Sequence, residues 1–403
     1  MNDRPAPDWR PILAMYWLTS FIEGLGVNQI YAFLPNRLRE VGLAAADVPH
    51  FVGLLGSLFF LTGLPLIPLW GVWADKYSRK AVIIRSALVE AVVFGVIAAS
   101  QTTWQLVVGM LLVGFQLGNT GVMMAAIRDV TPRHRLGLAM GIFAASSPLG
   151  FGAGPALGSF MIDQLGLSSG VVFALSAALS LAVALLLAVG SREVRPEVVP
   201  TGGTVRLAFG AVRGVMSDPI VRWLFVAYGL VFVGRQMSAQ YLSLFIHAVE
   251  HTSLEVSGSV GIVLGLAAIV GAALSPLGGW VSDRLGFRPV LVAATAGTAV
   301  AFALLPLGST VAWLAVTYSL AIASQTVVGA MVSGLLATEV PVERRSATLN
   351  LIYLPLYIGG IAGPAIGASV VTAGLRAVFF VAAAVLAGAT IVAAVFARRT
   401  RGR

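Results

Sequence analysis

Cysteine is absent from this 403-residue chain. That excludes a disulfide framework, a thiolate nucleophile and any cysteine-based metal site. Histidine is nearly as rare: the four present are too scattered to hold a metal, and His247 and His251 are expected to share one exposed loop. Charge is the third scarcity. Lys, Arg, Asp and Glu make up 11% of the residues, where soluble domains average about 25%, so a water-soluble globule is excluded. No paired carboxylates, phosphate-cradling loop or histidine cluster is present, which counts against a membrane-embedded transferase. No cofactor is implied, and with no soluble sensing domain a receptor or scaffold is disfavoured.

What the chain has instead is apolar length: 58% of its residues are hydrophobic. A helix that crosses a bilayer needs about 20 mostly apolar residues, so twelve would use roughly 240, a load this composition fits. Apolar runs and their polar or Gly/Pro interruptions place spans near residues 11–34, 50–74, 81–100, 103–127, 136–162, 169–190, 220–246, 257–282, 288–307, 310–335, 346–371 and 375–397. The first run is too long for a signal-peptide core and lacks a small-residue cleavage pattern after it. It reads as a retained span.

An even number of spans puts both termini on one side. On that side fall 22 Lys and Arg residues, including those at 76–85, against Arg37, Arg39 and Arg376 on the other, with Arg235 inside a span. Basic loops stay in the cytoplasm, so the expected location is the cytoplasmic (inner or plasma) membrane with both termini cytoplasmic. The same distribution accounts for the net charge of +9 without invoking nucleic acid. The expected units are residues 1–190, a linker at 191–219, and 220–403. In the linker, Val205, Ala208, Phe209, Val212, Val215 and Met216 recur at helical spacing opposite Arg206 and Arg213, the pattern of a helix lying on a membrane surface. Ser217, Asp218 and Pro219 read as the cap and first turn of span seven.

The two halves repeat one another. Gly71-x-x-x-Asp75 recurs as Gly279-x-x-x-Asp283 at an offset of 208. Gly150-x-x-x-Gly154-Pro155-x-x-Gly158 recurs as Gly359-x-x-x-Gly363-Pro364-x-x-Gly367 at 209, an offset shared by Pro132 with Pro341 and by Gln116 with Gln325. Spaced Gly, Asp, Pro and Gln at one offset imply two six-span bundles of one fold. Parallel repeats of this kind rock about a site at the membrane midplane, which points to transport.

The run Gly71-Val72-Trp73-Ala74-Asp75-Lys76-Tyr77-Ser78-Arg79-Lys80, between spans two and three, resembles the G-x-x-x-D-R/K-x-G-R/K-R/K signature of the major facilitator superfamily, with Ser78 where the signature has Gly. The Gly150–Gly158 motif resembles that of its drug-proton antiporter branch, and the chain as a whole is most similar to bacterial multidrug efflux members. Where that branch carries an Arg in span four, this chain has Met110. The resemblance implies an all-α membrane protein of twelve transmembrane helices in two pseudo-symmetric six-helix bundles, the major facilitator fold. It also implies a cavity lined by spans one, four, seven and ten.

Ionisable groups deep in a span are costly and are functional candidates by default. Glu23 in span one, Glu90 in span three and Arg235 in span seven qualify. Glu23 and Arg235 are the expected proton- and substrate-coupling pair, able to meet across the pseudo-two-fold, where they read alternatively as a structural ion pair that closes one state. Glu90 ranks behind them, because span three is peripheral in this fold. Asn28, Gln29, Gln116, Asn119, Gln236, Gln240 and Gln325 are expected to supply uncharged hydrogen-bonding groups to the cavity, beside a soft wall that includes Met110, Met123 and Trp313. Each amide also reads as interhelical glue. Gly71, Asp75, Arg79, Lys80, Asp129, Arg135, Asp283 and Arg284 form the expected cytoplasmic gate, and the paired Gly/Pro motifs the helix-packing device. The expected function is export of lipophilic or cationic small molecules by alternating access, in exchange for protons, by a monomer that needs no cofactor or metal. The alternative is a symporter or uniporter of a narrow metabolite, sugar or lipid.

Overall fold

A computed structural model describes residues 9–196, 199, 201–251, 258–339, 351 and 354–399. A backbone inside lipid must satisfy its hydrogen bonds within one segment or a closed barrel, and the described residues form helices without a strand. They are α1 Trp9–Glu40, α2 Val48–Leu61, α3 Gly63–Lys76, α4 Arg79–Ala99, α5 Thr103–Val113, α6 Asn119–Val130, α7 Leu136–Asp163, α8 Ser169–Gly190, α9 Thr204–Met216, α10 Pro219–Ala239, α11 Leu242–Glu250, α12 Gly258–Leu285, α13 Phe287–Leu304, α14 Val311–Glu339, α15 Leu354–Val370 and α16 Leu375–Arg399. Eight helical stretches are long and apolar enough to cross a membrane. The 32 residues of α1 and the 28 each of α7 and α12 have the length as well, at about 1.5 Å per residue.

Twelve crossings result because three spans are two helices each: α2 with α3, α5 with α6, and α10 with α11. Spans two and four are broken against each other. Thr62 Oγ1 donates to Leu111 O at 2.6 Å, in space left by Gly114, whose added Cβ would stand 1.9 Å from that oxygen. Four residues on, Gly118 turns the chain with φ +98°, a conformation open to glycine. Span seven breaks at Gln240 and Tyr241. Asp218 caps α10, accepting from Ile220 N and Val221 N, with Pro219 in the first turn.

Equivalent helices pack in equivalent ways. In the first half α1 lies on α7 and α4 on α8; in the second α10 lies on α15 and α13 on α16. The halves join through α7 on α12 and α2 on α15. The repeated glycines explain the first pairing. An added Cβ would come within 2.1 Å of Phe21 O at Gly150 and 2.3 Å of Leu25 O at Gly154, and within 2.7 Å of Phe232 Cβ at Gly359 and 2.5 Å of Val233 O at Gly363. Gly158 and Gly367 meet the rings of Phe33 and Tyr241. Backbones at this distance leave no room for a side chain.

We call the side carrying Trp9, Arg399 and α9 the linker face. Three hydrogen bonds between the halves lie beyond mid-depth toward the opposite face: Gln236 Nε2 donates to Tyr31 Oη at 3.0 Å, Ser243 Oγ to Ala32 O at 2.8 Å and Ser57 Oγ to Ile361 O at 3.0 Å. Glycine close approaches of Gly56 to Gln240, Gly360 to Phe60 and Gly261 to Ser159 lie on that side too.

Three residues depart from expectation. His247 lies buried in α11 rather than in an exposed loop, and His251 ends that helix at φ +55°. Arg37 is no loop cation: α1 runs on to Glu40, and Arg37 Nε and Nη2 donate to Ile97 O at 3.0 Å and Ala98 O at 2.8 Å, and to Ser100 O, satisfying the end of α4. Arg85 belongs to α4, inside the bundle. Pro341, Arg344 and Arg345, and the expected start of span eleven, lie outside the described residues.

Candidate functional site

Glu23 sits about 21 Å along α1 from Trp9, at ~1.5 Å per residue, so it is near mid-depth. The break of span four faces it. Asn119, the first residue of α6, donates its Nδ2 to Glu23 Oε2 at 3.1 Å, and Gln116 Nε2 reaches Oε1 at 3.5 Å. Gly118 lies between them, and its left-handed turn interrupts the helix at the depth of the carboxylate. Among the described residues no cation lies within ion-pair distance of Glu23.

Span three supplies the neighbouring charges. Arg85 Nη2 donates to Gln116 O at 3.2 Å and Leu117 O at 3.1 Å, carbonyls freed by the break, and its guanidinium lies 3.8 Å from the Trp70 ring centroid. Ser86 Oγ also donates to Gln116 O. Glu90 is 3% exposed. Span three is therefore no peripheral element here. Arg85 was legible only as loop charge, since nothing local shows that a cation six residues into a helix turns inward.

Glu23 and Arg235 do not meet. The break of span four occupies Glu23 from within its own half, whereas Arg235 stands on α10 in electrostatic reach of Tyr31 and Tyr318. Of the expected cavity amides, Gln116, Asn119 and Gln236 have the partners given above. Gln29 is fully buried between helices, donating to Gly154 O at 3.4 Å and accepting from Ser176 Oγ, and Asn28 Nδ2 donates to Phe151 O. Both tie α1 to its neighbours and act as glue. Gln240 packs against Gly56 with its amide atoms unpartnered, and Gln325 leaves Nε2 unpartnered. Met110 and Met123 are fully buried, and Trp313 Nε1 donates to Leu304 O at one end of α14, so these three are packing rather than wall.

At the linker face Arg79 is 2% exposed and joins three helices. Its Nε reaches Asp75 Oδ1 of α3 at 2.9 Å and its Nη1 reaches Asp129 Oδ2 of α6 at 2.7 Å. Ser78 caps α4, accepting from Ala81 N, which is work a glycine at the signature position would not do. Glu193 accepts from Arg79 N at 2.9 Å and from Ser78 Oγ, and Lys80 Nζ donates to Ala188 O and Ser191 O at 2.8 Å. Arg135 is exposed, and a Cβ at Gly71 would meet nothing. In the second half Arg284 stacks on Trp280 at 3.8 Å and Arg288 pairs with Glu339 at 2.7 Å. The Asp283 side chain lies outside the described residues.

Two pseudo-symmetric six-span bundles, with polar and charged groups gathered at mid-depth, define a membrane transporter rather than an enzyme. A sequence model of the Major Facilitator Superfamily matches residues 16–272 and 252–403. The chain belongs to that family, and a small-molecule substrate and a lipid bilayer are its partners. It is 28% identical over 387 residues to multidrug resistance protein MdtG of Klebsiella pneumoniae (strain 342), spanning 94% of this chain and 92% of the relative. With the MdtG of Enterobacter lignolyticus (strain SCF1) it shares 27% over 405 residues, 99% and 95% of the two chains. Among solved structures, a bacterial homolog to the human lysosomal transporter Spinster, inward-facing and unoccupied, superposes with TM-score 0.78 at 17% identity over 98% of each chain. The nucleoside transporter NupG does so with 0.76 at 16%, over 97% and 99%.

Proposed function

We propose that this transporter exports lipophilic or cationic small molecules by alternating access, coupled to proton uptake, with Glu23 as the coupling acid that accepts a proton or the cationic substrate. The observation that carries the reading is an acid at mid-depth held by two neutral amides with, among the described residues, no cation within ion-pair distance. Amide donors keep a carboxylate in place without neutralising its charge, which leaves it for a proton or a cation. The MdtG relatives, named for multidrug resistance, support the substrate class. The positive-inside distribution supports placing the linker face in the cytoplasm. On that placement the hydrogen bonds joining the halves lie toward the external side. The Asp75–Arg79–Asp129 network then serves as the cytoplasmic gate of the first half, and the protein works as a monomer.

A narrower carrier is the second reading. Arg235 at mid-depth suits an anionic substrate group, and Met110 replaces the branch's span-four Arg. Proteoliposomes with an imposed pH gradient separate the readings. Tetraphenylphosphonium is expected to drive proton flux in the native protein and none in Glu23→Gln. Flux unchanged in that variant overturns the role of Glu23, and flux driven only by nucleosides, sugars or organic anions establishes the narrower carrier.

A further inference from the structure

Glu23 is one member of a larger charge cluster, and any division of roles within that cluster rests on the reading of Glu23 as the coupling acid. Arg85 and Glu90 of α4 both lie within its electrostatic reach. Gly26, one turn beyond Glu23, measures the approach: an added Cβ there would stand 3.3 Å from Glu90 Oε1 and against the ring of Phe94. Arg85 uses Nη2 on the carbonyls of span four and leaves Nε and Nη1 without a hydrogen-bond partner.

The charges do not balance as they stand. Two carboxylates share one guanidinium at mid-depth, where an uncompensated charge is costly. One proton makes the cluster neutral. The donors around each acid decide where it goes, since hydrogen bonds to the charged form favour that form. Glu23 is half-buried and receives Asn119 and Gln116. Glu90 is buried beside Phe94 and the Ser180 hydroxyl, and its Oε1 accepts no hydrogen bond.

The geometry points to a division of labour in which Glu90 stores the exchanged proton while Glu23, ionised and balanced by Arg85, receives the cationic substrate. A monovalent cation arriving at Glu23 leaves the cluster with one positive charge in excess. Loss of the Glu90 proton restores neutrality, and its return expels the cation. One positive charge replaces another, so neither the proton-loaded nor the substrate-loaded state leaves a bare charge at the central site. Span three thus carries the proton and span one the substrate, with Arg85 a positioning residue that ties both to the break of span four.

Infrared spectroscopy of the full-length protein in lipid nanodiscs at neutral pH tests this without a substrate. The carbonyl-stretch band of a buried protonated carboxylic acid is expected in the native protein. It should shift in Glu90→Asp and keep its frequency in Glu23→Asp. It should vanish in Glu90→Gln, where Glu23 alone balances Arg85. In Arg85→Gln it should grow about twofold, because both acids must then be neutral. Adding tetraphenylphosphonium should deplete the band in the native protein. A band that shifts in Glu23→Asp instead of Glu90→Asp, or that survives Glu90→Gln unchanged, overturns the assignment. So does tetraphenylphosphonium that binds and leaves the band intact. If tetraphenylphosphonium does not bind the native protein, the export reading fails while the ligand-free bands still decide where the proton resides.

Discussion

The two halves share a frame and differ in what the frame holds. Each packs its first span on its fifth through glycines at equivalent positions, and its third on its sixth. The charges do not follow the repeat. Glu23 of α1 corresponds at the 209 offset to Phe232 of α10, and Arg235 to Gly26. The breaks do not follow it either: span four turns at Gly118 whereas its counterpart α14 runs unbroken, and α1 is continuous where span seven breaks. Packing between backbones tolerates little change, because a single methyl at Gly150 or Gly363 meets another helix's backbone. A polar group at mid-depth is constrained by its few partners, so one half can acquire an acid and a kink without disturbing the other.

Substitutions can break the likeness of the halves or sharpen their difference. The largest effect is expected at the linker face, where Arg79 is buried between two carboxylates and its counterpart region holds the more exposed Arg288–Glu339 pair. Arg79→Ala should destabilise the protein by about 3 kcal/mol, by removing the buried guanidinium that joins Asp75 to Asp129, although Asp129 keeps its pair with Arg128 at 3.0 Å. Arg288→Ala should cost under about 1 kcal/mol. Denaturant melts of both in detergent will show whether the halves differ here; equal losses would mean that burial of Arg79 is immaterial. Next come the glycines, where the halves should agree. Gly150→Ala and Gly359→Ala are each expected to lose about 1–3 kcal/mol by overpacking, with Gly71→Ala as the control in open space within about 0.5 kcal/mol of native. A benign Gly359→Ala would break the equivalence of the two packing seams. The smallest effect concerns the paired amides. Gln116→Leu removes a donor to Glu23 and should cost about 1 kcal/mol and move the pH profile of proton flux. Gln325→Leu, which removes an amide nitrogen with no partner, should leave the pH profile in place, and a matching shift in both would show that the amides remain functional equivalents.

Much of this was readable along the chain. Twelve apolar runs, the offset of 209 and the cap at Asp218 are local or periodic signals, and helices in lipid have little freedom to depart from them. Glu23 was readable too, because an acid among apolar neighbours is conspicuous. The partner of Glu23 was not. Symmetry suggested Arg235 across the midplane, whereas Asn119 and Gln116, on either side of the left-handed Gly118 in span four, are the groups that reach it. Arg37, Arg85 and His247 each look like loop residues, since one or two helical turns at a span's end decide whether such a group meets water or carbonyls. Gln29 looks like Gln116 in sequence, and only its neighbours, Gly154 O and Ser176 Oγ, make it glue.

Composition and periodicity alone determined that this chain crosses a membrane twelve times, that it is a duplicated bundle, and which stretches form it, because the cost of burying backbone and charge in hydrocarbon is incurred residue by residue. Tertiary structure decided which ionisable groups share a site, because that depends on rotations about helix axes and on a few kinks. Residue 23, residues 85 and 90, and residues 116 and 119 come from three separate spans, and the packing of those spans around the break at Gly118 brings them to one place.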